Sequence, residues 1–246
     1  RLGHDVYREN HLGDWGLPIA MVLYVLRRDG RDFSSITLND LDETYRAVQA
    51  VAKADFQGLA AAKDKQVGPH RIAELEEQNA GAIEMRTAAG ETLVALQSGQ
   101  SDLVDNWQSL IDVTLGSMDS ALDMLDIKMG PETNRGESFY RNRLQAVLDT
   151  FESNNLCVQD DGATIIRFND RKRPLLIRKT DGGFLYATTD LAACQYRTQE
   201  TQATRCVYVV DARQKDHFKD VFEAAALAGW NTTPSGQTVT FSHTGF

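Results

Sequence analysis

The sequence predicts an α/β protein whose parallel sheet is interrupted by a large, mainly helical insertion carrying a short β-meander. Three features carry that expectation. The chain opens with a strand-like run, a glycine-punctuated loop and a helix, which together make half of a βαβ unit. A long stretch of helical periodicity follows. Strand–helix alternation then resumes near residue 184 and includes Arg205–Val210, an apolar run of the kind found in parallel sheets buried on both faces.

Each element has a local reason. Val6 to Asn10 reads as the first strand, and HLGDWG after it as a loop. Leu17 to Arg28 reads as a helix with Pro18 in its first turn, where proline is tolerated, and Gly30 closes it. Thr37 stands three residues ahead of Asp40, a variant of the capping box, and Leu41, Tyr45, Val48 and Ala52 supply one stripe after it. Gly68-Pro69 breaks the helical run. A helix is expected over Arg71–Gln97, interrupted near Ala89-Gly90, with Ile72, Leu75, Ile83, Leu93 and Leu96 inward. Leu103, Trp107, Leu110, Met118, Leu122 and Leu125 mark a further helix, with Trp107 in its core.

Past Gly130-Pro131, Ser138–Ser153 is again helical in pattern. Leu156–Val158, Thr164–Phe168 and Leu175–Arg178 read as an antiparallel meander split by Asp-Gly and Arg/Lys-Pro turns. Phe184–Ala187 is expected as a strand that hands over to a helix at Thr188 or Thr189. A turn at Asp211–Gln214 feeds a helix to Ala228, and Thr238–Phe241 is the next candidate strand. The two chain ends are thus expected to share one sheet. Residues 1–30 and 181–246 form its core segments, and 31–180 the insertion, helical over 31–135 and mixed over 136–180.

Composition narrows the function classes. With 26 Lys and Arg against 35 Asp and Glu, the net charge is −9, which argues against nucleic acid held by bulk charge. The three cysteines, Cys157, Cys194 and Cys206, form no CxxC and suggest a reducing compartment, the cytoplasm. The apolar run Ile19–Leu26 is eight residues long, against the roughly 20 of a membrane span. The five histidines lack metal-ligand spacing. The chain starts without methionine and stops at Phe246 within what reads as another element, as expected of a piece of a longer protein.

Chemistry-bearing residues fall into a few groups. Tyr186 and Asp190 straddle the expected strand-to-helix junction, where ligands of parallel sheets bind, and Asp190 in a first helical turn suits a cation. The plain alternative is a helix cap. Gln214 and His217 form a second polar pair one turn apart, or a solvated helix start. Asp211 and Arg213 read equally as a surface ion pair. Gly13 and Gly16 flank Asp14-Trp15 and permit close backbone approach, but the loop matches neither GxGxxG nor a P-loop. Arg167, Arg171, Lys172, Arg173, Arg178 and Lys179 could meet phosphates or form a solvated hairpin face.

NHLGDWG (Asn10–Gly16), DMLDI (Asp123–Ile127), GESFY (Gly136–Tyr140), DGGFLYATTDLAACQYR (Asp181–Arg197) and VYVVDARQKDHF (Val207–Phe218) resemble, in order, the catalytic core of bacterial-type arginyl-tRNA synthetase. The resemblance implies a class I core, a Rossmann-like sheet with a connective insertion. It also implies a reaction: arginine and ATP form an adenylate with release of pyrophosphate, and arginine passes to the 2′-hydroxyl of the terminal adenosine of tRNA. It assigns arginine binding to Tyr186, Asp190 and Gln214, and places Gly13, Gly16 and His217 near ATP. No residue is a nucleophile. Magnesium would arrive with ATP rather than on a protein-held site, and a monomer without membrane contact is expected. The family's histidine signature would precede Val6 and its lysine loop would follow Phe246, so these 246 residues alone are expected to be inactive. The competing class is a synthetase-like protein that has lost ligation and keeps a binding or structural role; another class I synthetase is disfavoured, since its pocket need not pair Tyr186 with Asp190.

Overall fold

The computed structural model describes residues 3–180 and 182–246. The chain divides into two compact units, 1–137 and 138–246.

The first unit is helical. Helix α1 (Leu17–Arg28) begins at Gly16 and buries Ala20, Met21, Val22, Leu23, Val25 and Leu26. It is apolar on two sides because it packs on both. Val22, Leu23 and Leu26 join Trp15, Leu96, Leu103, Trp107 and Leu110, while Met21 and Val25 join Val48, Ala52, Met85 and Ala89. The eight-residue apolar run is therefore the signature of a central bundle helix.

Against it pack α2 (Leu38–Val51), α4 (Pro69–Gln97) and α5 (Ser101–Met124), and α3 (Phe56–Asp64) packs on α4. The expected capping box is present: Thr37 Oγ1 accepts from the Asp40 N–H, and the Asp40 carboxylate accepts from the Thr37 N–H at 2.9 Å. Helix α4 runs through Ala89-Gly90 without the expected interruption. Ala89 is fully buried, and one glycine in a helix interior costs only about 1 kcal/mol relative to alanine. Ile83 is exposed instead of inward, and the buried face is Leu75, Asn79, Ala82, Met85, Ala89 and Leu96. On α5, Leu103, Trp107 and Leu110 are core, whereas Leu125 lies beyond the helix and is exposed.

The strand expected at Val6–Asn10 is not formed. Residues 4–9 are irregular, and only Asn10 bridges, in parallel, to Asn134. A strand exists through its ladder, and here the hydrogen bonds start only at Asn10: Asn10 N–H to Thr133 O, Arg135 N–H to Asn10 O and Glu137 N–H to Leu12 O, each 2.9 Å. Among the described residues, the N-terminal segment therefore contributes no strand to a parallel sheet.

The second unit mixes helix and sheet. After the short helix α6 (Glu137–Tyr140), a 3-10 turn at Arg141–Arg143 leads into α7 (Leu144–Ser153). Strands β1 (Val158–Asp160), β2 (Ala163–Phe168) and β3 (Arg171–Arg178) form the expected antiparallel meander in the order β1-β2-β3. Asp161 and Gly162, at φ 47° and 81°, make the tight β1–β2 turn. The expected Arg-Pro turn is absent, because Pro174 lies inside β3. That strand is at the sheet edge with a register shift opposite Ile166–Phe168, a place where a missing N–H is tolerated.

Helix α8 (Tyr186–Gln199) follows, then β4 (Arg205–Val210), α9 (Lys215–Leu227) and β5 (Thr240–Gly245). β4 and β5 pair in parallel from Arg205↔Thr240 to Val210↔Gly245. The expected strand at Phe184–Ala187 shrinks to one antiparallel bridge, Arg178↔Phe184, because Leu185 already starts the helix. β4 is not buried on both faces. Cys206 and Tyr208 face the core, while Val207 and Val209 are 50% and 63% exposed. The core joins Tyr140, Leu148, Phe151, Ile166, Ile177, Leu191 and Val221, and Trp230 meets Phe151 edge-on at 5.7 Å.

Phe151 is fully buried. Phe151→Ala is expected to lower unfolding free energy by about 3–5 kcal/mol through lost burial and the cavity left behind. Val94→Ala, at a 68% exposed site, should change it by less than about 0.5 kcal/mol. Urea denaturation followed by circular dichroism measures both.

Candidate functional site

The polar cluster of the second unit sits where β4 and β5 end. A 3-10 turn at Ala212–Gln214 follows β4 and leads directly into α9, so side chains just after Val210 gather at the carboxyl ends of the parallel pair. In open α/β sheets that edge is where ligands bind. The approach is close: a Cβ on Gly245 would lie 2.9 Å from the Ala212 Cα, so the end of β5 can abut the turn only as glycine.

Asp190 is the fifth residue of α8 and begins its second turn. It is therefore neither in the first turn, as expected, nor a cap. The N-terminal cap residue is Leu185, with no side-chain cap bond. Asp190 is 8% exposed, in an unbroken buried run from Ala187 to Cys194. A carboxylate so placed needs hydrogen bonds to remain charged. One comes from His217, the third residue of α9, whose Nε2 lies 2.7 Å from Asp190 Oδ2. A carboxylate only accepts, so Nε2 carries the proton of that bond.

Tyr186 is the first residue of α8 rather than the last of a strand, and is 55% exposed. Four residues ahead of Asp190, it shares the same helical face. The start of α8 is tied to the sheet by Thr188, whose hydroxyl donates to the Ile177 carbonyl of β3. Gln214 is exposed at the N-terminal cap position of α9 without a cap bond, one turn before His217. The His217 ring meets Phe218 edge-on at 5.2 Å, and Phe218 stacks on His243 at 5.8 Å, with the His243 Nε2 3.3 Å from the Asp211 carbonyl.

The structure thus joins Asp190 and His217 directly, and puts Tyr186 and Gln214 one turn from one or the other. Gly13 and Gly16 belong to the first unit. Gly16 starts α1, and a Cβ on Gly13 would meet nothing within 4 Å. The loop between them is held by α5: Trp107 Nε1 donates to the Asp14 carbonyl at 2.7 Å, and Trp15 meets Trp107 edge-on at 5.0 Å. Trp107 is core, as its stripe predicts. The direct Asp190–His217 contact has no spacing signal, since the two residues lie 27 positions apart.

Several other candidates resolve into structural pairs. Arg171 and Arg173 both reach Asp220 of α9, at 3.0 and 2.5 Å, and Arg171 also reaches Glu223 at 2.8 Å while lying over the Phe168 ring. Arg167 pairs with Asp160. Much of the basic hairpin charge is therefore neutralised within the fold. Burial pushes the Cys194 thiol up to about 12, so it is an inert core group beside the Tyr208 hydroxyl. Among the described residues, no group of three or more His, Cys, Asp or Glu could hold a metal ion, and no helix is long and apolar enough to cross a membrane.

The fold is similar to that of solved arginyl-tRNA synthetases. The arginyl-tRNA synthetase of Plasmodium falciparum superposes with a TM-score of 0.70 at 23% identity, covering 100% of this chain and 36% of that one. The Thermus thermophilus enzyme gives 0.59 at 18% identity, covering 99% and 42%. At those identities the likeness is one of fold. Residues 1–246 also match the family model described as tRNA synthetases class I (R), catalytic domain. Arginine–tRNA ligases of Pseudomonas entomophila and Cyanothece sp. are each 34% identical, over 251 and 241 residues, covering 100% and 93% of this chain and 38% and 36% of theirs. The chain belongs to the arginyl-tRNA ligase family, and it matches an internal region of the catalytic core. It spans little more than a third of those relatives' length.

Asp211 and Arg213 form the surface ion pair anticipated as one reading. The Arg213 guanidinium and then its backbone N–H hold the Asp211 carboxyl down at about 2. The side chains are 37% and 90% exposed, so the pair contributes little to folding. A depressed folded pKa means that the contribution is present above the unfolded value near ~4 and is lost as pH falls through about 2. Carboxyl NMR titration should find the Asp211 midpoint near about 2 and, in Arg213→Ala, back near ~4.

Proposed function

We propose that this chain supplies the arginine-binding part of an arginine–tRNA ligase. Residues 1–30 and 181–246 belong to the catalytic core, and 31–180 form its connective insertion. The observation that carries the reading is the nearly buried Asp190 carboxylate, held by His217 rather than spent on capping α8.

A carboxylate offers about four acceptor sites on two oxygens, and a planar guanidinium can take two of them in parallel. Arginine presents parallel N–H groups that match a carboxylate in a two-point grip; lysine offers a compact ammonium with a different reach. Tyr186, on the same face of α8 and half exposed, packs along the substrate. Gln214, at the start of α9, takes its polar end without adding charge. The resemblance also places Gly13, Gly16 and His217 near ATP.

The substrate carboxylate attacks the α-phosphorus of ATP, forming arginyl-adenylate and expelling pyrophosphate. The 2′-hydroxyl of the terminal adenosine of tRNA then attacks the activated carbonyl, and AMP leaves. The protein's share is orientation and charge stabilisation, with no covalent intermediate on a side chain. Magnesium would accompany the nucleotide.

Asp190→Asn is the direct test in the complete protein, because asparagine keeps the shape and can still hydrogen-bond His217. Losing the charge opposite a desolvated guanidinium costs about 2–5 kcal/mol, so kcat/KM for arginine should fall roughly 30- to 5000-fold. Tyr186→Phe should cost less, since the ring remains and at most a hydrogen bond is at stake. Unchanged melting temperatures would exclude unfolding. An Asp190→Asn protein within twofold of the parent would sink the reading.

A further inference from the structure

We propose that His217 is a positioning residue for arginine recognition: through Nε2 it fixes the orientation of the Asp190 carboxylate that takes the guanidinium. This rests on the reading of Asp190 above and assigns His217 to amino-acid selection in preference to ATP.

The geometry supports that role in three ways. The 2.7 Å bond joins two helices whose order along the chain is separated by a strand, so neither helix alone sets the carboxylate's rotation. The Asp190 side chain is 11% exposed and His217 32%, so the bond lies at the mouth of the buried region, with the imidazole on its outer side. The ring is itself held, edge-on to Phe218, which is 5% exposed and stacked on His243 within β5. The imidazole is thus braced by the parallel pair whose strand ends define the site.

Its chemistry also suits the task. A two-point grip on guanidinium depends on the carboxylate plane, and rotation of that plane turns two parallel bonds into one. An imidazole N–H fixes the plane with a directional donor. A Lys or Arg at the same position would bring a full positive charge beside the incoming substrate cation and compete with it. A residue of this kind acts through Asp190, so its removal should weaken arginine binding and leave nucleotide binding alone.

The test is steady-state kinetics of arginine-dependent pyrophosphate exchange in the complete protein with its tRNA. His217→Phe keeps a ring and removes the donor; His217→Gln keeps an N–H at similar reach. The expected result is a rise in KM for arginine of roughly 10- to 150-fold in His217→Phe, the size of one lost charge-assisted hydrogen bond. KM for ATP should stay within about twofold, and His217→Gln should recover most of the loss. In an Asp190→Asn background, His217→Phe should add little, because the two act as one unit. If His217→Phe proves unstable by thermal melting, His217→Ala and His217→Gln carry the same comparison. A selective rise in KM for ATP would overturn the proposal, as would full additivity with Asp190→Asn, or a His217→Gln protein as impaired as His217→Phe. An Asp190→Asn protein without any arginine defect would instead overturn the underlying reading of Asp190.

Discussion

A carboxylate taken out of water must be compensated, and the second unit is organised around how that is done for Asp190. The residue sits in the second turn of α8, within eight consecutive buried positions, where the backbone N–H groups of a helix start are already behind it. Part of its compensation comes from His217 on another helix, so α8 and α9 must both be seated before that bond can form. The rest of the unit serves that seating. Thr188 anchors α8 to β3, the Arg171–Asp220–Glu223 group ties α9 to the same strand, and Phe218 and Tyr208 fix α9 against β4. Arg171 and Arg173 thus anchor α9 to β3, which gives two of the hairpin's basic residues a role within the fold.

The first unit answers a different constraint. A helical excursion of this length, from Leu12 to Thr133, has two ends that must return to the same place, and loop closure grows costly only slowly with length. Pairing of Asn10 and Leu12 with Thr133, Arg135 and Glu137 closes the excursion with backbone hydrogen bonds. Inside it, α1 serves as the common wall of two cores, which is why its sequence is apolar all round where α2 and α5 show one stripe. Trp107 then carries the order of the bundle back to the HLGDWG loop through its bond to the Asp14 carbonyl.

What could be read from the sequence was whatever local chemistry dictates. Helix α1, the Thr37–Asp40 capping box and strand β4 have nearly the expected bounds, and the three-stranded meander has the expected order with shifted outer strands, because caps, turns and periodicity act within a few residues. Errors arose where a neighbour decides. Val6–Asn10 has strand-forming residues but almost no ladder partner. Phe184–Ala187 is overridden by the docking of α8, and Val207 and Val209 remain open on one face because helices cover only the other. The candidate site was legible in part: Asp190 and His217 were each singled out by position after a strand, yet their mutual bond joins residues 27 apart and leaves no trace in spacing. Asp190 lies in the second turn of α8 and not the first because the helix begins at Tyr186, ahead of the expected Thr188 or Thr189.

The central claim, that Asp190 receives the guanidinium of arginine in a plane held by His217, is most directly tested by a crystal structure of the complete protein with arginine bound. The account predicts two guanidinium nitrogens within about 3 Å of the Asp190 carboxylate oxygens, with the His217 Nε2 bond to Asp190 retained. A guanidinium bound to a different carboxylate, with Asp190 engaged only by protein groups, would contradict it.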